Sequence, residues 1–339
     1  MKQIISNFAK KNSRELTTAI ALLLVIMVFS LMSPRYFVYD NLVDIVQQGV
    51  VNAFLAMGIT VAILTAGIDL SIGSTMAVVL VTCAELSANG VNVFVTILVG
   101  LLVGTVIGII NGFLITKMKL QPFIATLGMM EALRGVAYVI SGGSPVLNVS
   151  TEFRTIFQFQ VFRGVRMGMV YMLLLAIIYE IILRRTRTGV YIYAIGSNEE
   201  ATKLSGININ KYKMIAYILC GIGAALAGMV TMARLGTGEP SAGQGYETMA
   251  IAAAAIGGTS LAGGKGSMAG TVLGAFTLSA LKIGLIVIGM DTFYQYIAIG
   301  LIILLATYIE NIQAFVVGIF HKLFGKRSIT TGQPPVSES

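Results

Sequence analysis

The sequence predicts an all-α polytopic membrane protein of about ten transmembrane helices, and three observations carry that prediction. Apolar runs of about 20 residues, the length that crosses the hydrocarbon core, recur along nearly all of the 339-residue chain. Only 11% of the residues are charged, against roughly a quarter in soluble domains, and mean hydropathy is +0.86. Basic residues are dense in every second loop, as expected when those loops lie on the cytoplasmic side. A β-barrel would alternate polarity residue by residue, which these runs do not do.

The first run, 16–33, follows Lys2, Lys10, Lys11 and Arg14. No small-x-small cleavage site follows and Ser33-Pro34 closes it, so it reads as a retained span rather than a signal peptide. The next spans are 45–66, 70–88, 91–116 and 122–142. Between the second and third, AGIDLSIGS sets Asp69 at the inner edge. There Gly67 and Gly73 allow a sharp turn, and Asp69 with Ser71 can cap the next helix; a gating role for Asp69 is the alternative. The fourth span carries Gly100, Gly104, Gly108 and Gly112, a flat ridge along which helix backbones approach closely. In the fifth, Glu131 and Arg134 share a helix face and can neutralise each other. Intramembrane charges are costly, so the pair either fixes helix packing or lines a pathway. Asn52 and Asn111, polar in apolar surroundings, can bond a sugar hydroxyl or glue helices together.

A sixth span, 166–183, leads into the long polar stretch 184–213, RRTRTGVYIYAIGSNEEATKLSGININKYK. Within it, Ser197-x-x-Glu200 has the form of a capping box, and Gly206 can close the helix. A helix of about seven to nine residues between Gly196 and Gly206 is too short to be stable alone. Its stripe of Ala201, Leu204 and Ile207 must dock, either on its own chain or on a partner. Four further spans follow at 212–234, 246–262, 267–289 and 293–311, with small-residue ridges at Gly221, Ala225 and Gly228 and at Gly270 and Gly274. The segment GGTSLAGGKGS, 257–267, lacks the first glycine and the final Ser/Thr of a phosphate-binding loop and reads as a glycine-rich inner turn.

With ten spans and a cytoplasmic N-terminus, sixteen basic residues fall inside, among them Lys117, Arg187, Lys265 and Lys326. Four fall outside: Arg35, Arg154, Arg163 and Arg166. LAMGITVAILTAGIDLS aligns with LAGMVTMARLGTGEPS, Gly104-x-x-x-Gly108 with Gly270-x-x-x-Gly274, and QPFIATLG with DTFYQYIAIG, at offsets near 170 residues. Under this topology the two copies run in opposite senses, a pseudo-twofold inverted repeat. The whole chain, 1–339, is then one transmembrane permease domain, with a first repeat at about 45–142, the polar segment 184–213, a second repeat at about 212–311 and a basic, disordered tail over 312–339. No nucleophile–base set occurs. Cys83 and Cys220 lie in apolar runs and His321, the single histidine, in the tail. A disulfide framework, a metal centre, a cofactor and enzymatic chemistry are all disfavoured.

TRTGVYIYAIGSNEEATKLSGININK resembles the cytoplasmic coupling segment of sugar-importing ABC permeases, the ribose/xylose/galactose group. The likeness continues through ILTAGIDLSIGS, PFIATLGMM, LRGVAYVISGGSPV and GYETMAIAAAAIGGTSLAGGKGS, covering roughly residues 15 to 310, and is nearest to ribose permeases. The resemblance implies a vitamin-B12-importer-like type II fold and a permease homodimer in the bacterial inner membrane, with both termini cytoplasmic. It implies a cytoplasmic ATP-binding subunit with two fused nucleotide-binding halves and a periplasmic sugar-binding protein. Carried over, Gly196, Asn198, Glu199, Ala201, Leu204, Ser205 and Gly206 fall in the coupling helix. The translocation path draws on the spans around Asn52, Asp69, Phe123, Glu131 and Arg134. Two other readings stay open: an ABC permease for branched-chain amino acids or nucleosides, and a secondary transporter with Asp69 or Glu131 as proton relay. The coupling segment argues against the second, since a proton-driven carrier needs no docking helix.

Overall fold

The computed structural model describes residues 13–302 and 304, and they are mostly helical. Helix α1 (Ser13–Met32) ends at a 3-10 turn, Pro34–Phe37. Then come α2 (Tyr39–Leu64), α3 (Ile72–Ala88), α4 (Val93–Thr116) and α5 (Pro122–Ile140). A short α6 (Thr151–Gln158) and an antiparallel hairpin, β1 (Gln160–Phe162) with β2 (Val165–Arg166), lead to α7 (Met167–Arg185). The polar segment folds as α8 (Arg187–Ser197) and α9 (Glu199–Leu204). The second half is α10 (Ile209–Leu235), α11 (Tyr246–Ile256), α12 (Met268–Val287) and α13 (Thr292–Ile302).

Each of the ten expected spans overlaps a described helix, and seven of those helices are long and apolar enough to cross a membrane. Helices α3, α11 and α13 are shorter. The expected span 246–262 is corrected: α11 stops at Ile256, where Gly257 and Gly258 follow and Gly258 takes φ +83°. Eleven residues rise only about 16 Å, roughly half of the hydrocarbon. The last part of the expected span 293–311 lies outside the described residues, as do Lys2, Lys10, Lys11, His321, Lys326 and the tail.

Helices α2 and α10 form the centre. In their most apolar windows 89% and 67% of residues are buried within the chain, against 11% for α1 and 22% for α5. The reason is side-chain size. A Cβ on Gly58 would meet the Cys220 backbone, and one on Gly223 would meet the Phe54 carbonyl, so α2 and α10 cross nearly backbone to backbone. The glycine ridge of α4 packs on α10 as its spacing predicts: Gly104 faces Gly221 and Ala225, Gly108 faces Tyr217, and Gly112 faces Met214. Gly270 and Gly274 of α12 face the carbonyls of Gly257 and Ala253 at the end of α11. Lipid offers no hydrophobic drive between helices, so close approach of small residues supplies the dispersion contact instead.

The pairings Phe54–Gly223 and Gly58–Cys220 run in opposite senses along α2 and α10. The starts of α2, α3, α4 and α5 at 39, 72, 93 and 122 are matched by starts of α10, α11, α12 and α13 at 209, 246, 268 and 292. Contacts follow the same exchange: α2 packs on α11 and α12, while α10 packs on α3 and α4. This is the inverted repeat expected from the weak internal similarity.

Candidate functional site

The polar segment builds a platform at one end of the bundle. Helix α7 ends at Thr186, whose backbone is extended (φ −117°, ψ 158°) and whose hydroxyl accepts from the Gly189 amide. Helix α8 follows at once, burying Gly189, Ile192 and Ile195. The sequence reading missed this helix. Its signals were the Thr186 cap and three small or apolar positions at i, i+3 and i+6. A Cβ on Gly189 would overlap the Leu183 carbonyl, so the corner between α7 and α8 needs glycine.

Asn198 makes a one-residue corner between α8 and α9. Its amide donates to the Ala194 carbonyl (2.9 Å), closing α8, while its Oδ1 accepts from the Ala201 amide (2.9 Å), opening α9. The expected capping box Ser197-x-x-Glu200 is therefore corrected by one residue. Ser197 belongs to α8 and donates to the Tyr193 carbonyl (2.9 Å). Asparagine caps as well as serine does, and α8 consumes residue 197 before the corner can form. Helix α9 has six residues, shorter than expected. Gly206 closes it at φ +77°, and Glu199 pairs with Lys213 of α10 at 2.7 Å. Thr202 is buried, but Ala201, Leu204 and Ser205 are exposed, and Leu204 is 89% exposed. The chain leaves Ala201 and Leu204 of the expected apolar stripe uncovered, while Ile207, beyond the end of α9, is half-buried.

The platform sits on the end of α2 and on the glycine-rich loop 257–267. The Gly264 amide donates to the Leu64 carbonyl at 3.1 Å. A Cβ on Gly196 would overlap that same carbonyl. The Tyr193 hydroxyl donates to the Gly266 carbonyl at 2.9 Å. Burial holds the Tyr193 phenol above its ordinary pKa; Glu180 adds to this and Arg184 opposes it. The hydroxyl therefore stays a donor at neutral pH.

Beyond Leu64, Ala66 turns at φ +58° and the chain delivers Asp69 to a buried cluster. Asp69 Oδ1 accepts from the Ser71 amide (2.9 Å) and hydroxyl (2.6 Å), and Asn111 of α4 donates to Ser71 Oγ at 2.8 Å. Asn111 Nδ2 also lies 3.3 Å from Asp69 Oδ2. Asp69 thus ties its loop to α4; it folds the turn before α3 rather than capping the helix at its first amides. Gly73 serves close packing, since a Cβ there would overlap the Gly243 carbonyl.

The five candidate path residues do not converge. Asn52 is buried between α2 and α12, donating to Ser279 Oγ at 2.9 Å, with Gln48 Nε2 at 3.5 Å. Asp69 is buried as described. Phe123 and Glu131 lie open on α5. The expected Glu131–Arg134 pairing is corrected: among the described residues no ion pair joins them. Arg134 instead donates to the carbonyls of Pro240 (2.7 Å) and Ala242 (2.8 Å), in the loop after α10. Helix spacing placed the two on neighbouring positions, but carbonyls from a distant loop compete for the guanidinium and win it.

Described basic residues segregate by end. Lys117, Arg184, Arg187, Lys203, Lys213 and Lys265 lie with the platform. Arg35, Arg154, Arg163 and Arg166 lie at the opposite end, where Arg163 stacks on Tyr39 and Arg154 meets Gly236.

Residues 41–307 match the family described as branched-chain amino acid transport system / permease component. The chain is 45% identical to the ribose import permease protein of Escherichia coli (strain K12), over 90% of this chain and 96% of that one. It is 39% identical to the ribose import permease protein of Bacillus subtilis (strain 168), over 86% and 91%. It is 37% identical to the D-allose transport system permease protein of Escherichia coli (strain K12), over 87% and 91%. No solved structure matches.

Proposed function

We propose, from the premise that this chain belongs to the branched-chain amino acid transport system / permease component family, that it is the membrane subunit of an ATP-driven importer of a monosaccharide, ribose or a close relative. A permease of this family is a multi-pass membrane protein and a transport component, not an enzyme; an ATP-binding subunit and a substrate-binding protein are its partners. Support for a sugar comes from the relatives, named for ribose import at 45% and 39% identity and for D-allose at 37%. Loading of the path is left to the binding protein, which fits the engagement of Asn52 with Ser279 and of Asn111 with Ser71 and Asp69 inside the chain.

The observation that carries the coupling assignment is Leu204, 89% exposed at the tip of a six-residue helix. A helix of that length needs an external surface to be stable. We assign Asn198, Glu199, Ala201, Leu204, Ser205 and Gly206 to the contact with an ATP-binding subunit of two fused nucleotide-binding halves; Gly196, the remaining residue of the expected coupling set, packs against the Leu64 carbonyl of the bundle instead. Two permease copies pack around a shared path, bordered by the open face of α5 with Phe123 and Glu131. Glu131 supports this, since a carboxylate facing lipid at mid-span costs several kcal/mol. The exposed apolar faces of α1 and α7 meet lipid. By the positive-inside rule the platform and both termini lie on the cytoplasmic side, and the bacterial relatives support the bacterial inner membrane as the site.

Leu204→Asp puts a charge in the docking contact and leaves the bundle untouched. Membrane levels of the permease should stay near normal, while co-purification of the ATP-binding subunit and D-ribose uptake are lost. Wild-type co-purification and uptake by this variant would overturn the coupling assignment.

A further inference from the structure

The docking helix α9 touches little of the bundle, whereas α8 is wedged into it. Three backbone strands meet where α8 ends. One is the C-terminus of α2, at Leu64 to Ala66. The second is the glycine-rich loop that leads into α12. The third is α8 itself, at Tyr193 to Ser197. They meet nearly backbone to backbone, with only the Ser197 hydroxyl and the Ala66 methyl beside the glycines. Gly264 N–H donates to Leu64 O (3.1 Å), and a Cβ on Gly196 would overlap Leu64 O and come within 2.5 Å of Gly264 N. A Cβ on Gly263 would lie 2.8 Å from Ala66 N. One side chain ties the knot from the α8 side, Tyr193, through Oη to Gly266 O at 2.9 Å. Backbone contacts of this kind leave no soft side chain to absorb a displacement, so a shift of α8 must move the other two strands or break the contact.

Both strands lead onward. Past Leu64 the chain reaches Asp69, bonded through Ser71 to Asn111 of α4. Past Gly266, Ser267 caps α12 by accepting from the Gly270 amide at 3.1 Å. Helix α2 is the central element of the first repeat and α12 the counterpart of α4 in the second, and they pack along each other.

We infer that α9 only docks, and that α8 is the transmission element: it carries the motion of the ATP-binding subunit to α2 and α12 through the Gly196–Leu64–Gly264 knot, with Tyr193 as the positioning residue. This rests on the coupling assignment above, and the two fail differently. If the coupling assignment is wrong, Leu204→Asp keeps its partner; if this inference is wrong, Tyr193→Phe keeps its full output.

The test uses the full transporter, permease with its ATP-binding subunit and binding protein, in proteoliposomes. Tyr193→Phe retains the ring and removes one hydrogen bond. It should assemble and co-purify the ATP-binding subunit at wild-type level. D-ribose imported per ATP hydrolysed should fall about fivefold, the scale of one hydrogen bond. A readout independent of substrate is hydrogen exchange over residues 60–71. ATP should change exchange there in the wild type and change it much less in Tyr193→Phe. Gly196→Ala, which forces the strands apart, should show the stronger form of both effects if it folds. Unchanged import per ATP together with an unchanged ATP response at 60–71 in Tyr193→Phe would overturn the inference. So would loss of the ATP-binding subunit from that variant, because α8 would then belong to the dock.

Discussion

Asn198 and Arg134 each do something at the level of single atoms that spacing in the sequence does not reveal. Asn198 ends one helix with its amide and begins another with its side chain. Asn198→Ala should cost about 1 kcal/mol of α9 stability, the usual worth of an N-cap. Because α9 is peripheral, the melting temperature of the purified permease should hardly change while affinity for the ATP-binding subunit drops several-fold in a pull-down titration. Arg134 spends its guanidinium on Pro240 and Ala242. Arg134→Met should therefore lower the melting temperature in detergent and Glu131→Gln should not. The double variant should be no more stable than Arg134→Met alone, whereas a mutually neutralising pair would show rescue. Both residues were legible as special, one as a neighbour of the expected helix start and member of the coupling segment, the other as an intramembrane charge. Their partners were not, because a partner 106 residues away leaves no trace in local spacing.

At the scale of elements, the glycines sort into two kinds that look alike in the sequence. Gly108 on α4 is filled against Tyr217 and Ile218 of α10, while Gly128 and Gly135 on α5 have nothing within 4 Å of a Cβ. Gly108→Ala should destabilise by about 1–3 kcal/mol through overpacking. Gly135→Ala should be neutral or gain about 0.5–1 kcal/mol of helix propensity in the isolated chain. If it instead lowers the stability of the assembled transporter, α5 is covered there by the second copy; melting of both variants in the two states checks this. The ridges on α4, α10 and α12 were legible because a four-residue glycine period has one strong reading in lipid. Helix α8 was not, since its buried stripe is short and its neighbours on both sides are polar. The end of α11 was placed too late because no charge follows Ile256 before Lys265 and Leu261 and Ala262 add apolar residues beyond it, so only the paired glycines mark the stop.

For the whole molecule, hydropathy and charge carried most of the architecture: the order of the apolar helices and the end at which the basic residues gather. Helix α7 runs between Arg163 and Arg187 and puts them at opposite ends of the bundle. In intact spheroplasts an impermeant thiol reagent should label Arg163→Cys and leave Arg187→Cys untouched; the reverse pattern would invert the topology. The candidate path was far less legible than the fold. Asn52 and Asp69 are polar residues in apolar runs, and the sequence alone cannot tell one that bonds its own chain from one that faces a passing solute.

The interlocking of the two repeats also has a consequence for synthesis. The glycine ridge at Gly104 and Gly108 finds its mate only at Tyr217 to Ala225, more than one hundred residues later along the chain. At about 5–20 residues per second, the ribosome leaves α4 in the bilayer without that mate for roughly 5–25 seconds. During that window the nascent first half holds a groove shaped for a helix that does not yet exist, and an insertion factor must shield it or lipid must fill it. A chain stopped at residue 208 should remain protease-sensitive in the membrane, and supplying residues 209–302 as a separate polypeptide should restore resistance.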